Sequence, residues 1–289
     1  MEIDVPLVRR LVRAQFPAWD DLEIVPVAEG GWDNRTFHLG PSMSVRLPSA
    51  AHYAPQVAKE QTWLPKLAPP LPLPIPVPLA LGKPGEGYPW SWSVYRWLPG
   101  EAAERSRIRD LDGFARDLAM FLRALQGADA HGGPPPGAHS FHRGGDLAIY
   151  DRQTRENAAA LAGSLDKGAL LQIWEAALAS RFSSAPTWLH GDVAPGNLLT
   201  SGGRLSAVID FGCCAVGDPA CDLAIAWSLF DVSARAVFAE VLALDEETWA
   251  RGRGWALWKA LVELRRLGSS DQTAVAGWRA TVASLLDDH

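Results

Sequence analysis

The chain has few cysteines, no long apolar run and no excess of positive charge, and each shortage removes a class of protein. Its cysteines are Cys213, Cys214 and Cys221, an odd set without the paired spacing of a zinc site, so they read as reduced thiols packed beneath a strand. No stretch reaches the ~18 apolar residues that a membrane-spanning helix needs. Arg9, Arg10 and Arg13 interrupt the apolar residues near the start, where a signal peptide would keep an unbroken apolar region. A formal net charge of -6 and a pI near 5.6 argue against nucleic acid or an anionic membrane as partner, because both call for basic patches. The expectation is a cytoplasmic protein.

What is present is concentrated in residues 190–222, which read HGDVAPGNLLTSGGRLSAVIDFGCCAVGDPACD. At 289 residues the chain is long enough for two lobes, and this window falls in the second. A hydroxyl that attacks a γ-phosphate needs a carboxylate to orient it and take its proton, and Asp192 fits that role. A nucleoside triphosphate arrives with Mg²⁺, which prefers a few hard oxygen ligands beside the phosphate oxygens. Asn197 and Asp210 supply such oxygens. Residues 193–196, Val-Ala-Pro-Gly, form a turn that folds Asp192 and Asn197 toward one side. The run 205–209 reads as a buried strand that delivers Asp210, with Leu198 and Leu199 as its hairpin partner across Ser201, Gly202 and Gly203.

His190-Gly191-Asp192 with Asn197 five residues on, then Asp210-Phe211-Gly212 and the Gly-Asp-Pro-Ala-Cys-Asp-Leu-Ala segment, resembles the aminoglycoside phosphotransferase family of small-molecule kinases, relatives of choline kinase and protein kinases. Protein kinases usually carry Arg where this chain has Gly191, and an Ala-Pro-Glu triplet that is missing here. The resemblance implies an α+β, bilobal, protein-kinase-like fold: a small antiparallel β-sheet lobe with one helix over residues 1–99, which grips the nucleotide, and a larger mainly helical lobe over 100–289, which holds the catalytic loop and the acceptor. It implies Asp192 as catalytic base, Asn197 and Asp210 as metal ligands, His190 as a prop of the loop and Asp222 as its brace. It further implies Mg²⁺ as cofactor, ATP or GTP as co-substrate and a small-molecule hydroxyl acceptor, with an aminoglycoside-type antibiotic favoured. The alternatives are a metabolite kinase of the choline, homoserine or thioribose kind, or a non-catalytic nucleotide-binding regulator.

In the first lobe, residues 4–15 space their apolar side chains as an amphipathic helix, and strands follow at 22–27, 36–39 and 44–47. Gly30 and Gly31 lie ahead of the second strand, where glycine lets backbone N–H groups approach phosphate oxygens. The lysine that many kinases carry on the third strand is replaced by Arg46, which we pair with Glu60 on the helix at 55–67, leaving Lys59 as a solvated charge. Residues 69–78 alternate proline with apolar residues, which excludes helix and a central strand and favours an extended linker packed on the lobe. The aromatic strand at 89–98 leads into a hinge at 95–98, and Tyr95 and Trp97 are its candidate contacts to the nucleobase edge.

Beyond Gly100, helices are expected at 110–126, 151–163, 169–182, 222–230, 234–244, 247–267 and 273–286. The insertion at 127–147 holds His131, His139 and His142 without a metal-ligand spacing. Candidate acceptor contacts are the acids Asp231, Glu240, Asp245, Glu246 and Glu247, which suit a polyamine sugar, and Trp227, Trp255 and Trp258, which suit a quaternary ammonium or an apolar body.

Overall fold

Asp4 starts the chain's first helix by accepting the Leu7 N–H at 2.9 Å, and α1 (Val5–Gln15) then buries Leu7, Val8, Leu11 and Val12 along one stripe. The computed structural model describes residues 2–27, 31, 33–268 and 270–288. Strands β1 (Ile24–Pro26), β2 (Asn34–Leu39) and β3 (Met43–Pro48) follow, then α2 (Ala54–Leu67), β4 (Pro78–Gly82) and β5 (Trp92–Arg96). The strands form an antiparallel sheet in the order β1-β2-β3-β5-β4. Alternation along β3 sends Val45 and Leu47 into the core with the α1 stripe, while Arg46 points to the other face, where Glu60 of α2 lies.

This first unit comprises residues 1–100 together with 206–212. Its two helices fall where the sequence places them, and α1 packs on the same core as β1, β2 and β3. The proline run avoids helix but turns over 68–70 and bends at 72–73 before running on through 74–77; it buries Leu71 and Ile75 and accepts the Val208 N–H on the Pro74 carbonyl at 3.1 Å. It ends in a strand that periodicity does not announce. β4 is tolerated because it lies at the sheet edge, has Pro78 as its first residue and shifts register between Pro78 and Ala80.

The second unit comprises residues 101–205 and 213–289. It opens with β6 (Glu101–Ala102) and continues through α3 (Leu111–Gln126), α4 (Asp151–Leu161), α5 (Lys167–Ala179), β7 (Thr187–Leu189), β8 (Leu198–Ser201) and β9 (Arg204–Val208), whose last residues count with the first unit. β10 (Ala215–Gly217), α6 (Ile225–Ser228), α7 (Val232–Leu242), α8 (Glu246–Leu267) and α9 (Gln272–Leu286) complete it. β6, β8 and β9 are neighbours in one sheet, and the turn from β8 to β9 places Gly202 and Gly203 at φ 60° and 81°, as a two-residue hairpin requires. β7 and β10 pair antiparallel, with Leu189 opposite Ala215. The three cysteines are free thiols and buried. Among the described residues no helix is long and apolar enough to cross a membrane.

Candidate active site

The loop that carries His190, Gly191 and Asp192 leaves β7 at His190 and is held by backbone geometry before any side chain acts. Gly191 has φ +86°, and a Cβ there would sit 2.5 Å from the Cys213 carbonyl oxygen, so only glycine fits. The Asp222 carboxylate accepts both adjoining amides, His190 N–H at 2.8 Å and Gly191 N–H at 2.7 Å. Burial pushes the Asp222 carboxyl above its usual range despite those bonds and the nearby His190. Asp218 caps the following turn at the Ala220 N–H and pairs with Arg251 of α8 at 2.6 and 3.3 Å, both partners being buried.

Within this frame Asp192 is pinned from several directions. Its backbone N–H donates to His190 Nδ1 at 3.2 Å. Asn197 Nδ2 donates to its carbonyl at 2.9 Å and to its Oδ2 at 3.2 Å. Lys259 Nζ meets its Oδ1 at 2.6 Å. Burial works to raise the Asp192 carboxyl, but Lys259, Arg143 and His190 outweigh it and hold the group below its ordinary value. The side chain keeps 32% exposure, so a hydroxyl can still reach it. Lys259 is the residue sequence reasoning missed. Its local signal is its position on α8, four residues from Trp255, which places the two on one face of the helix.

The first unit carries the second cluster. On β3, Arg46 lies 3.8 Å from Glu60 and donates to Asp210 Oδ1 at 3.1 Å, and its guanidinium stands 5.6 Å from the Tyr95 ring centroid. The Tyr95 hydroxyl donates to Glu60. Burial alone would lower the Arg46 pKa, but the Glu60 and Asp210 charges raise it above its already high value. Asp210 itself adopts φ +65°, a left-handed conformation uncommon for a residue with a side chain and typical of functional positions. Lys59 differs from expectation: it is 8% exposed, and its Nζ donates to the Gly212 carbonyl at 2.7 Å, because the apolar faces around α2 leave it a backbone acceptor instead of solvent. Asp33 accepts from Gln56 at 3.2 Å, and burial, with Asp210 adding to it, raises its carboxyl.

Of the remaining nucleotide candidates, Gly30 lies outside the described residues. Gly31 accepts from Arg35 at 3.2 Å on its carbonyl, and a Cβ there would meet open space. Trp97 donates its backbone N–H to Ser42 at 2.9 Å and packs its ring 4.1 Å from His38. Tyr95 is buried with its side chain in the Arg46–Glu60 cluster.

The acids and tryptophans considered for the acceptor mostly have other work. Asp231 caps α7 and pairs with Arg105, Asp245 caps α8, and Glu247 accepts the Arg181 N–H. Trp227 donates to Asp288 at 2.8 Å. Trp255 and Trp258 face the Arg143 guanidinium, at 5.3 and 4.3 Å from their ring centroids, and Arg143 also donates to the Gly191 carbonyl at 3.1 Å. Beside the catalytic loop is a cavity of about 220 Å³, lined by Val193, Ala194 and Pro195 and by side chains of α8 and α9, Lys259 among them. Among the described residues no three His, Cys, Asp or Glu side chains gather to hold a metal unaided.

An antiparallel sheet with its partner helix, followed by a mainly helical unit that carries the His-Gly-Asp loop, defines a kinase-like fold. The phosphotransferase enzyme family model matches residues 23–255, and the chain belongs to that family: it is a phosphotransferase with an alcohol group as acceptor. No curated protein sequence matches significantly. Among solved structures, the chain is similar to the GDP complex of wild-type aminoglycoside 2'-phosphotransferase-IIIa, with 18% identity, 99% of this chain and 100% of that one covered and a TM-score of 0.72. It is also similar to APH(2")-IIa in a ternary complex with streptomycin and ATP, with 18% identity, 100% and 98% covered and a TM-score of 0.61. A third is the apoenzyme of macrolide 2'-phosphotransferase MphH from Brachybacterium faecium, with 21% identity, 99% of each chain covered and a TM-score of 0.61. At these identities the likeness establishes the fold.

Proposed function

We propose that the chain transfers the γ-phosphoryl group of ATP or GTP to a hydroxyl of a small molecule, with Asp192 as the base. The observation that carries this reading is the Asp192 carboxylate, kept deprotonated by Lys259 yet reachable from outside. As the acceptor oxygen bonds to the γ-phosphorus, the bridge to the β-phosphate breaks, the nucleoside diphosphate leaves and the hydroxyl proton passes to Asp192.

The donor set suits Mg²⁺. With its Nδ2 bonded to Asp192, Asn197 offers its Oδ1, and Asp210, with Oδ1 bonded to Arg46, offers its second oxygen. A magnesium ion held by these two groups would take its other ligands from phosphate oxygens and water, and would neutralise charge on the leaving diphosphate. In this reading Arg46 steadies the phosphates, Glu60 and Tyr95 fix its guanidinium, and Gly30, Gly31 and Trp97 belong to the nucleotide contacts. The neighbours that bind GDP or ATP support a nucleotide co-substrate, and those named for aminoglycosides and macrolides support a hydroxylated small molecule as acceptor.

The test is consumption of ATP and GTP with Mg²⁺ across a panel of hydroxylated acceptors. Asp192→Ala is expected to abolish turnover and to leave Mg-nucleotide binding within about threefold. Retained acceptor-dependent turnover in that variant would refute the assignment.

A further inference from the structure

The cavity beside the catalytic loop has a composition that bears on the acceptor. Ala224, Ala256, Ala274, Gly277 and Trp278 give it a largely apolar wall, and Lys259 is the one ionisable side chain among its described lining residues. That lysine is already paired with Asp192. Among the described residues no carboxylate lines the cavity; on the neighbouring helices Asp231 and Asp245 cap helix ends, Glu263 pairs with Arg266, and Asp288 pairs with Arg235 and Arg253. A polycation bound here would bring ammonium groups against apolar side chains and a lysine, which costs their hydration without supplying counter-charge. The aromatic seat that a quaternary ammonium would use is filled by the chain's own Arg143, held over Trp255 and Trp258.

Size narrows the class further. An apolar protein cavity of about 150 Å³ holds benzene. The 220 Å³ here takes a somewhat larger body, and the same wall includes 193–195, adjoining Asp192.

We propose that this cavity binds the acceptor, and that the acceptor is an uncharged alcohol with a compact apolar body of one or two rings. The inference rests on the phosphoryl transfer proposed above. The alcohol oxygen forms the new bond to the γ-phosphorus and its proton goes to Asp192, while the ring system occupies the space between the loop and α9.

The experiment measures Mg-ATP consumption, with the phosphate ester identified by mass, for cyclohexanol, benzyl alcohol, 1-indanol and 2-naphthalenemethanol against kanamycin and choline. Gly277→Phe is the variant. Gly277 lines the cavity from α9, and a Cβ there meets nothing within 4 Å, so a ring can be added at the cavity wall without a clash. The expected result is an ester from at least one uncharged alcohol, with its KM raised tenfold or more by Gly277→Phe and the unfolding temperature no lower than that of the parent. Ser228→Asp, which adds a carboxylate to the wall, is expected to improve kanamycin or choline relative to the alcohols.

Kanamycin or choline outperforming every uncharged alcohol in the parent chain would overturn the inference, as would a KM unmoved by Gly277→Phe in a folded variant. Mg-ATP binding without turnover of any of the four alcohols would overturn it too, leaving the phosphotransfer reading to another acceptor. Absence of Mg-nucleotide binding would refute that reading and this one with it.

Discussion

At the scale of single residues, the Lys259–Asp192 pair sets how the base responds to acid. Removing the ammonium in Lys259→Met takes away the largest influence that lowers the Asp192 pKa and leaves burial, which raises it. The acid limb of the kcat/KM profile is therefore expected to move to higher pH, which a titration of rates between pH 4 and 8 reads directly. The linkage has a matching sign. A carboxyl depressed on folding stabilises the protein above its unfolded value of about 3.9, and that contribution disappears as pH falls through the folded value, so parent and variant should converge in stability at acid pH. Gly191→Ala tests the loop: left-handed strain alone costs about 1–3 kcal/mol, and the clash with Cys213 adds to it, so a fall in the urea midpoint is expected. Asp192, Asn197 and Asp210 stand out in the sequence as candidates because they lie within one short window, and the structure bonds Asn197 to Asp192. Lys259 does not, since it stands 67 residues from its partner and its spacing from Trp255 is too common along a helix to single it out.

At the scale of elements, the turn between β10 and α6 ties the loop to α8 through two buried aspartates that differ in their partners. Asp222 is held by the His190 and Gly191 amides with the His190 ring nearby, whereas Asp218 pairs with Arg251. Arg251→Met leaves the Asp218 carboxyl buried without its counter-ion, a change worth about 3–5 kcal/mol in comparable sites. The expected readout is a large loss in chemical stability, relieved by the double variant with Asp218→Asn. Helices were legible in the sequence because their apolar stripes are long: α3 carries Phe114, Leu118, Phe121, Leu122 and Leu125 through more than four turns. The three-residue strands β7 and β10 are too short to show a period, and their pairing is set by contacts made far along the chain. The proline stretch packs on the first unit without helix, as its composition implies, but its turns and its terminal strand depend on neighbouring structure, the strand on an open edge of the sheet.

At the scale of the whole molecule, the first unit borrows seven residues, 206–212, from the middle of the second unit's sequence. They carry Asp210, the partner of Arg46, and Gly212, whose carbonyl receives Lys59. No composition shift marks this excursion, because it is defined by where the strand lands. Lys59→Met removes one of its ties and leaves a buried carbonyl without that donor, an effect of about 1–3 kcal/mol. Hydrogen exchange of the α2 and β3 amides in the full-length variant should speed up while α3 and α7 amides keep their protection.

The same seven residues govern the order in which the protein can be made. A ribosome delivers residues 1–100 first, yet Arg46 and Lys59 must wait for a segment synthesised roughly 110 residues later, several seconds at ordinary rates of elongation. During that interval the nascent unit holds Arg46 beside Glu60 and Tyr95 but without Asp210, and Lys59 without the Gly212 carbonyl. Nascent chains stalled before Ser206 should accordingly remain protease-sensitive across α2 and β3, and those extended well past Gly212 should resist, so that maturation of the first unit is timed by translation of the second.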